Sequence, residues 1–140
     1  MGGVMSVRQL SVFVENKTGH LAAVLGTLAD GEINILSFTI ADTTDYGILR
    51  LIVDDALRAK DLLTANDYAV VEHPVVGAVI PDRPGELAKI ARLVSQSGID
   101  IEYFYLGGRN SLLLKAEEYE RLEALLMEDG FRVLQSDELI

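Results

Sequence analysis

The apolar positions of this chain change period from two to about 3.6 and back, and they do so twice. Val7–Glu15 alternates loosely and is rich in Val, Leu and Phe, which predicts a strand. After Gly19 the residues Leu21, Val24, Leu25 and Leu28 fall at i, i+3, i+4 and i+7, one face of a helix ending near Gly31. Thr18 stands where it would cap that helix. Residues 33–41 read as a second apolar strand, Asp42-Thr43-Thr44-Asp45 as a turn, and Tyr46–Val53 as a third strand. Asp54 and Asp55 open a second helix, acids at its positive end, with Leu57, Leu62 and Leu63 on its inner side. Residues 68–72 read as a fourth strand, so the predicted order is βαββαβ.

The second half repeats the order. Residues 75–80 read as a strand. The helix over 85–97 has Leu87, Ile90 and Val94 inward and Pro84 near its first turn, where a proline loses no hydrogen bond. Residues 99–106 read as a strand, Gly107-Gly108-Arg109-Asn110 as a turn, and Ser111–Lys115 as a strand. A helix over 117–128 has Leu122, Leu125 and Leu126 inward, and 131–134 is the last strand before a short tail over 136–140. Gly85 follows Gly19 by the same interval as Ile99 follows Ile33. The prediction is an α+β chain of two ferredoxin-like βαββαβ units, 5–73 and 74–140, each an antiparallel sheet with both helices on one face. His73-Pro74 marks the joint, with no low-complexity linker, so the units are expected to touch. Ile33, Ile35, Phe38 and Ile40, like Ile99, Ile101, Phe104 and Leu106, read as strands apolar on both faces. Such strands are expected to be buried between units or between chains, which motivates a homodimer.

Two short motifs recur at matching places. Asn16-Lys17-Thr18-Gly19-His20-Leu21 and Asp82-Arg83-Pro84-Gly85-Glu86-Leu87 each join a strand to a helix, and Ile33-Asn34-Ile35 and Ile99-Asp100-Ile101 each open the next strand. With the element order, these resemble tandem ACT domains over roughly Val7 to Leu134. The second turn matches the family's D-x-P-G-x-L pattern; the first departs by Asn16 for Asp and Thr18 for Pro. The resemblance implies a small-molecule sensing module, often for amino acids, usually attached to a metabolic enzyme. It also implies that the second strand of a unit faces the helix-start turn of a neighbouring unit and closes a pocket, its carbonyls holding the ligand's ammonium. Leu36, Ser37, Glu102 and Tyr103 would then line the rim, with Asn34, Ile35, Asp100 and Ile101 beside them as further ligand-binding candidates.

Composition narrows the function. The 140 residues include 12 Lys and Arg against 22 Asp and Glu, a formal charge of −10, with no cysteine. Nucleic-acid phosphates and anionic membrane surfaces both call for a basic face. Disulfides and thiolate metal sites need cysteine. The opening Met1-Gly2-Gly3-Val4-Met5 lacks a basic region and a long apolar run, so no signal peptide is expected and the chain is predicted to be cytoplasmic.

The strand–helix turns carry the candidate chemistry. A glycine lets backbone approach a ligand closely, and the free N–H groups of a first helical turn favour a carboxylate. Asn16 or Asp82 beside them would accept from an ammonium, so the pair suits a zwitterion; the plainer reading makes both ordinary caps. His20 and Arg83 are candidates for a ligand side chain or carboxylate. Asp82 and Glu86 would repel a carboxylate, so the first turn is expected to bind more tightly. Catalysis finds no motif: Ser11, Ser37, Ser95 and Ser111 stand alone, there is no phosphate loop, and His20 and His73 are too separated to hold a metal. Glu117, Glu118, Glu120, Glu123 and Glu128 read as a solvated helix face. The expectation is a regulatory binder of a small-molecule ligand, most simply an amino acid, and not an enzyme, with no cofactor and a possible partner enzyme. A ligand-free docking module and a small unrecognised enzyme are the rival readings.

Overall fold

The computed structural model describes residues 7–15, 19–42 and 45–135. Its elements follow the order β1 (Val7–Glu15), α1 (His20–Asp30), β2 (Ile35–Asp42), β3 (Tyr46–Val53), α2 (Ala56–Ala65), β4 (Ala69–Val79), α3 (Glu86–Ser97), β5 (Tyr103–Leu106), β6 (Ser111–Lys115), α4 (Tyr119–Glu128) and β7 (Val133–Leu134). Backbone contacts divide the chain into an N-terminal unit, Arg8–His73, and a C-terminal unit that begins at Pro74 and includes Val7.

In the N-terminal unit the strand order is β2-β3-β1-β4. β3 pairs antiparallel with both neighbours, placing Leu51 opposite Leu10 on β1 and opposite Phe38 on β2. Strands β1 and β2 therefore run parallel, and α1 crosses over between them, as a parallel connection requires. Leu10, Val12 and Val14 of β1 and Leu49, Leu51 and Val53 of β3 point to one face. Val24 and Leu28 of α1 and Ala59 and Leu63 of α2 close over them. Each such side chain taken fully from water contributes about 1.5–3 kcal/mol, so this two-layer core is the main source of the unit's stability. Part of the helix-free face is buried as well: Gln9, Ser11, Ser37 and Ile52 are closed to solvent, while Phe13 on the same face of β1 is 41% exposed. There the Gln9 amide nitrogen donates to Ser11 Oγ at 3.3 Å and lies 3.0 Å from His73 Nε2, so this buried donor is matched.

The C-terminal unit repeats the plan. β5 pairs with β6, β6 with β4 and β4 with β7, all antiparallel. Val76, Ala78, Leu112 and Leu114 from the sheet meet Ile90 and Val94 of α3 and Leu122 and Leu126 of α4. Both units are thus α+β and ferredoxin-like, with antiparallel sheets and helices on one face.

Several expectations need correction. The strands read at 68–72 and 75–80 are one element, β4, running through His73 and Pro74. The second strands are not apolar on both faces. In β2 the register shifts between Ile35 and Ser37, so Ile35 stands opposite Val53 and Ser37 opposite Ile52. This bulge reverses the alternation. Ile35 before it and Phe38 and Ile40 after it consequently share the helix-facing side. In β5, Glu102 N–H donates to Lys115 O at 2.8 Å while Tyr103 also stands opposite Lys115, the same two-against-one arrangement. Nor are the strands wholly buried: Phe38 and Leu106 are 61% and 65% exposed. On α2 the inner residues are Ala59 and Leu63, while Leu57 is 70% exposed. Leu21 and Leu87, predicted inward, are largely exposed, and Glu123, predicted solvated, is buried.

Candidate functional site

Helices α1 and α3 begin alike. Gly19 (φ 89°, ψ −15°) and Gly85 (φ 91°, ψ −10°) are their N-caps, both left-handed, and neither helix has a side-chain cap. A Cβ added at either glycine would meet nothing within 4 Å. Glycine is therefore required here by backbone conformation and not by crowding. α2 differs, since Asp55 accepts from Arg58 N–H at 3.1 Å and caps it. In α1 the first N–H to find an intrahelical acceptor is that of Ala23, on Gly19 O at 3.0 Å; in α3 it is that of Lys89, on Gly85 O at 2.9 Å. In α3 the Glu86 N–H donates to Arg83 O at 3.4 Å, which leaves the Leu87 and Ala88 N–H groups ahead of the first intrahelical bond at the helix's positive end. Pro84 lies before the cap, outside the helix, so its role is to hold the approach to Gly85 and not to fill the first turn.

The expected site residues separate into groups. Asn16, Lys17 and Thr18 lie outside the described residues. Gly19 and Leu21 are exposed and His20 is half-buried at the start of α1. Asn34 is exposed, but its backbone is engaged: its N–H donates to Asp54 Oδ1 at 3.1 Å and its carbonyl accepts from Asp54 N–H at 3.1 Å. One of the two lone pairs of that carbonyl is thereby taken. Ile35 packs on the core, Leu36 sits half-buried at the bulge, and Ser37 faces the helix-free side. In the C-terminal unit Asp82, Arg83, Pro84 and Gly85 are exposed, and Arg83 pairs with Glu86 at 3.4 Å. Asp100 is exposed, Glu102 pairs with Lys115 at 2.9 Å, and Tyr103 lies on the face opposite Phe104.

Leu87 and Ile101 are brought together. They line an open cavity of about 240 Å³ with Ile90, Ala91, Val94 and Phe104. Its floor is Leu112 and Leu114, so it is an apolar slot beside the first turn of α3. Sequence reading missed Phe104, Ala91 and Ser95 as lining residues. The signal was present in the repeat: Ala91 occupies the place that Leu25 holds in the first copy, and Leu25 packs on its core. A smaller side chain at one copy leaves space that the other copy fills. Among the described residues no cluster of three or more His, Cys, Asp or Glu is arranged to hold a metal ion, and no helix is long and apolar enough to cross a membrane.

Comparison with known proteins agrees with this architecture. A protein of Bacteroides thetaiotaomicron, BT0572, is 36% identical, with 96% of each chain covered and a TM-score of 0.91. The ligand-free regulatory subunit of aspartate kinase from Thermus thermophilus shares the fold at 17% identity, over 90% of this chain and 93% of that one, with a TM-score of 0.64. The corresponding subunit from Thermus flavus matches at 17% identity over 89% and 92%, again with a TM-score of 0.64. No curated protein matches the sequence. The family model of the ACT domain pair matches residues 5–140, and the chain belongs to that family.

Proposed function

We propose that this ACT pair, with units 5–73 and 74–140, is a regulatory protein that binds an amino acid and is not itself an enzyme. The observation that carries the reading is the start of α3: a glycine-capped helix with no side-chain cap, opening beside an apolar slot. The N–H groups of Leu87 and Ala88 favour the ligand's carboxylate, and the slot between Leu87, Ile101 and Phe104 suits an apolar side chain. In this reading Asp82, Arg83, Pro84, Gly85 and Glu86 are the turn that leads into α3, and Asp100, Glu102 and Tyr103 flank Ile101 on the strand approach. The first turn, Asn16 to Leu21 with Asn34 to Ser37, is the equivalent place in the other copy. Charge alone favours the first turn. The Arg83–Glu86 pair offsets one of the two acids of the second, however, and the slot lies there, so the second turn is the stronger site.

Ligand binding acts by population shift, favouring one arrangement of the protein over another. Phe38 and Ile40, and Phe104 and Leu106, give each unit an exposed apolar strand that suits a homodimer. The fold shared with aspartate kinase regulatory subunits supports an enzyme as the regulated partner.

The test is a thermal-shift screen of the full chain against the twenty amino acids, followed by calorimetry. One amino acid should stabilise the fold by about 2.7 kcal/mol at 100 times its dissociation constant, and its decarboxylated amine should not. Gly85→Val should abolish that binding while Gly19→Val leaves it, with circular dichroism confirming that both variants fold. Equal stabilisation by the amine would remove the helix terminus as the carboxylate site.

A further inference from the structure

The two copies build the same corner of the fold and differ in how full it is. In the C-terminal unit the slot follows α3 from Leu87 to Ser95, about 12 Å of helix. Leu112 and Leu114 are its floor. In the N-terminal unit the floor is Leu49 and Leu51: they pair with Ile40 and Phe38 as Leu112 and Leu114 pair with Leu106 and Phe104. Leu87, Ile99, Ile101 and Phe104 recur unchanged as Leu21, Ile33, Ile35 and Phe38. The differences lie on the helix. Ala91 stands where the first copy has Leu25, Val94 where it has Leu28, and Ile90 where it has Val24. The last two exchanges cancel in carbon count, so the second copy is short by what separates alanine from leucine at position 91.

Leu25 is half-buried and packs on the core to which Leu49 and Leu51 belong. Its isobutyl group is a plug, supplied by the chain itself, in the corner that the second copy leaves open. An unfilled apolar corner lowers stability, because its lining lacks contacts on one side. The first copy shows that the fold accepts leucine there. The second copy therefore keeps space at a cost that one substitution would remove, and the shape of the missing group is on display in its twin. Of the residues that line the slot only Ser95 has a polar side chain, and it lies at the end away from the first turn. A charged or amide group entering the slot would lose water with one hydroxyl to answer it. Ala91 lies about 6 Å along the helix from Leu87, on the same face. A leucine whose carboxylate meets the N–H groups of Leu87 and Ala88 reaches that far with its methyl groups.

Resting on the amino-acid reading of this turn, we propose that the ligand is an amino acid with a branched aliphatic side chain, and that Ala91 is the specificity-determining residue that admits it. The ligand's side chain takes the place that Leu25 takes in the first copy, and the N-terminal unit, already plugged, does not accept it.

Calorimetry of the full chain with L-leucine, L-isoleucine, L-alanine, L-phenylalanine and L-glutamine tests this. Leucine or isoleucine should bind saturably at one equivalent per chain, at least about tenfold more tightly than alanine and ahead of phenylalanine and glutamine. Ala91→Leu restores the plug. It should weaken that binding at least about tenfold and keep the melting transition, since the first copy folds with leucine at this place. The ligand series needs no variant and decides by itself should Ala91→Leu not fold. Alanine bound as tightly as leucine, phenylalanine or glutamine bound more tightly, or undiminished binding by folded Ala91→Leu would each overturn the inference and leave the amino-acid reading standing. No saturable binding by any of the twenty amino acids would remove that reading and this inference with it.

Discussion

Glu123 sits on the acidic side of α4 in the sequence and on its buried side in the structure. It is 6% exposed, and its Oε2 has no hydrogen-bond partner. Burial, and then the neighbouring Glu120 carboxylate, push its pKa above the ordinary 4.5. A carboxyl whose folded pKa is raised adds stability below its unfolded pKa, and that contribution is lost as pH rises through the folded value. Glu123→Gln should therefore stabilise the fold at pH 7, by about 1 kcal/mol, the scale of one relieved buried polar mismatch. The gain should shrink below pH 4.5 in urea titrations at several pH values. Sequence periodicity could not find this residue. Leu122, Leu125 and Leu126 set the predicted face, and the observed face is turned by one position, so Leu125 is half-buried and Glu123 takes its place inside. Gly19 and Gly85, by contrast, were legible, because the strand–helix turn demands a left-handed residue whatever surrounds it. Gly85→Ala should cost about 1 kcal/mol, and Gly19→Ala the same, since backbone conformation alone opposes the new methyl group.

At the scale of the element, the helices were legible by period and the strands by composition, but the fine register was not. On α2 the leucines drew the reading toward Leu57, whereas Ala59 holds the inner place one turn before Leu63. Alanine carries too little apolar weight to mark a face. Leu63→Ala should cost about 2–5 kcal/mol in chemical denaturation and Leu57→Ala under about 0.5 kcal/mol. A reversal of that order would place the helix on the wrong face. Proline argued for a break at position 74, yet β4 runs through it. The second strands misled for a similar reason: a pattern interrupted by one extra residue looks like two apolar faces, when it is one face seen before and after a bulge.

For the whole molecule, the duplicated plan was legible in the sequence, because two copies of a motif at one interval leave few alternative folds. The slot was not, since it arises from what side chains leave unfilled. The exposed residues Leu21, Phe38 and Ile40 match Leu87, Phe104 and Leu106, each pair at the same interval along the chain. If these patches meet in the proposed homodimer, Phe104→Glu with Leu106→Glu should convert the dimer seen by sedimentation at micromolar concentration to monomer. The melting transition of the monomer should remain cooperative. A wild-type chain that sediments as a monomer throughout would remove the dimer.

The extra residue in β2 and its counterpart before β5 also bear on ancestry. A bulge is a counted insertion: removing Leu36 would restore strict alternation and leave Ile35, Phe38 and Ile40 on one side of the sheet. Two independent insertions at matching places, each leaving the same two strand positions apolar and on view, would be a coincidence. The simplest history is one in which a single ancestral unit already carried the additional codon, and the gene was copied afterwards with the irregularity inside it.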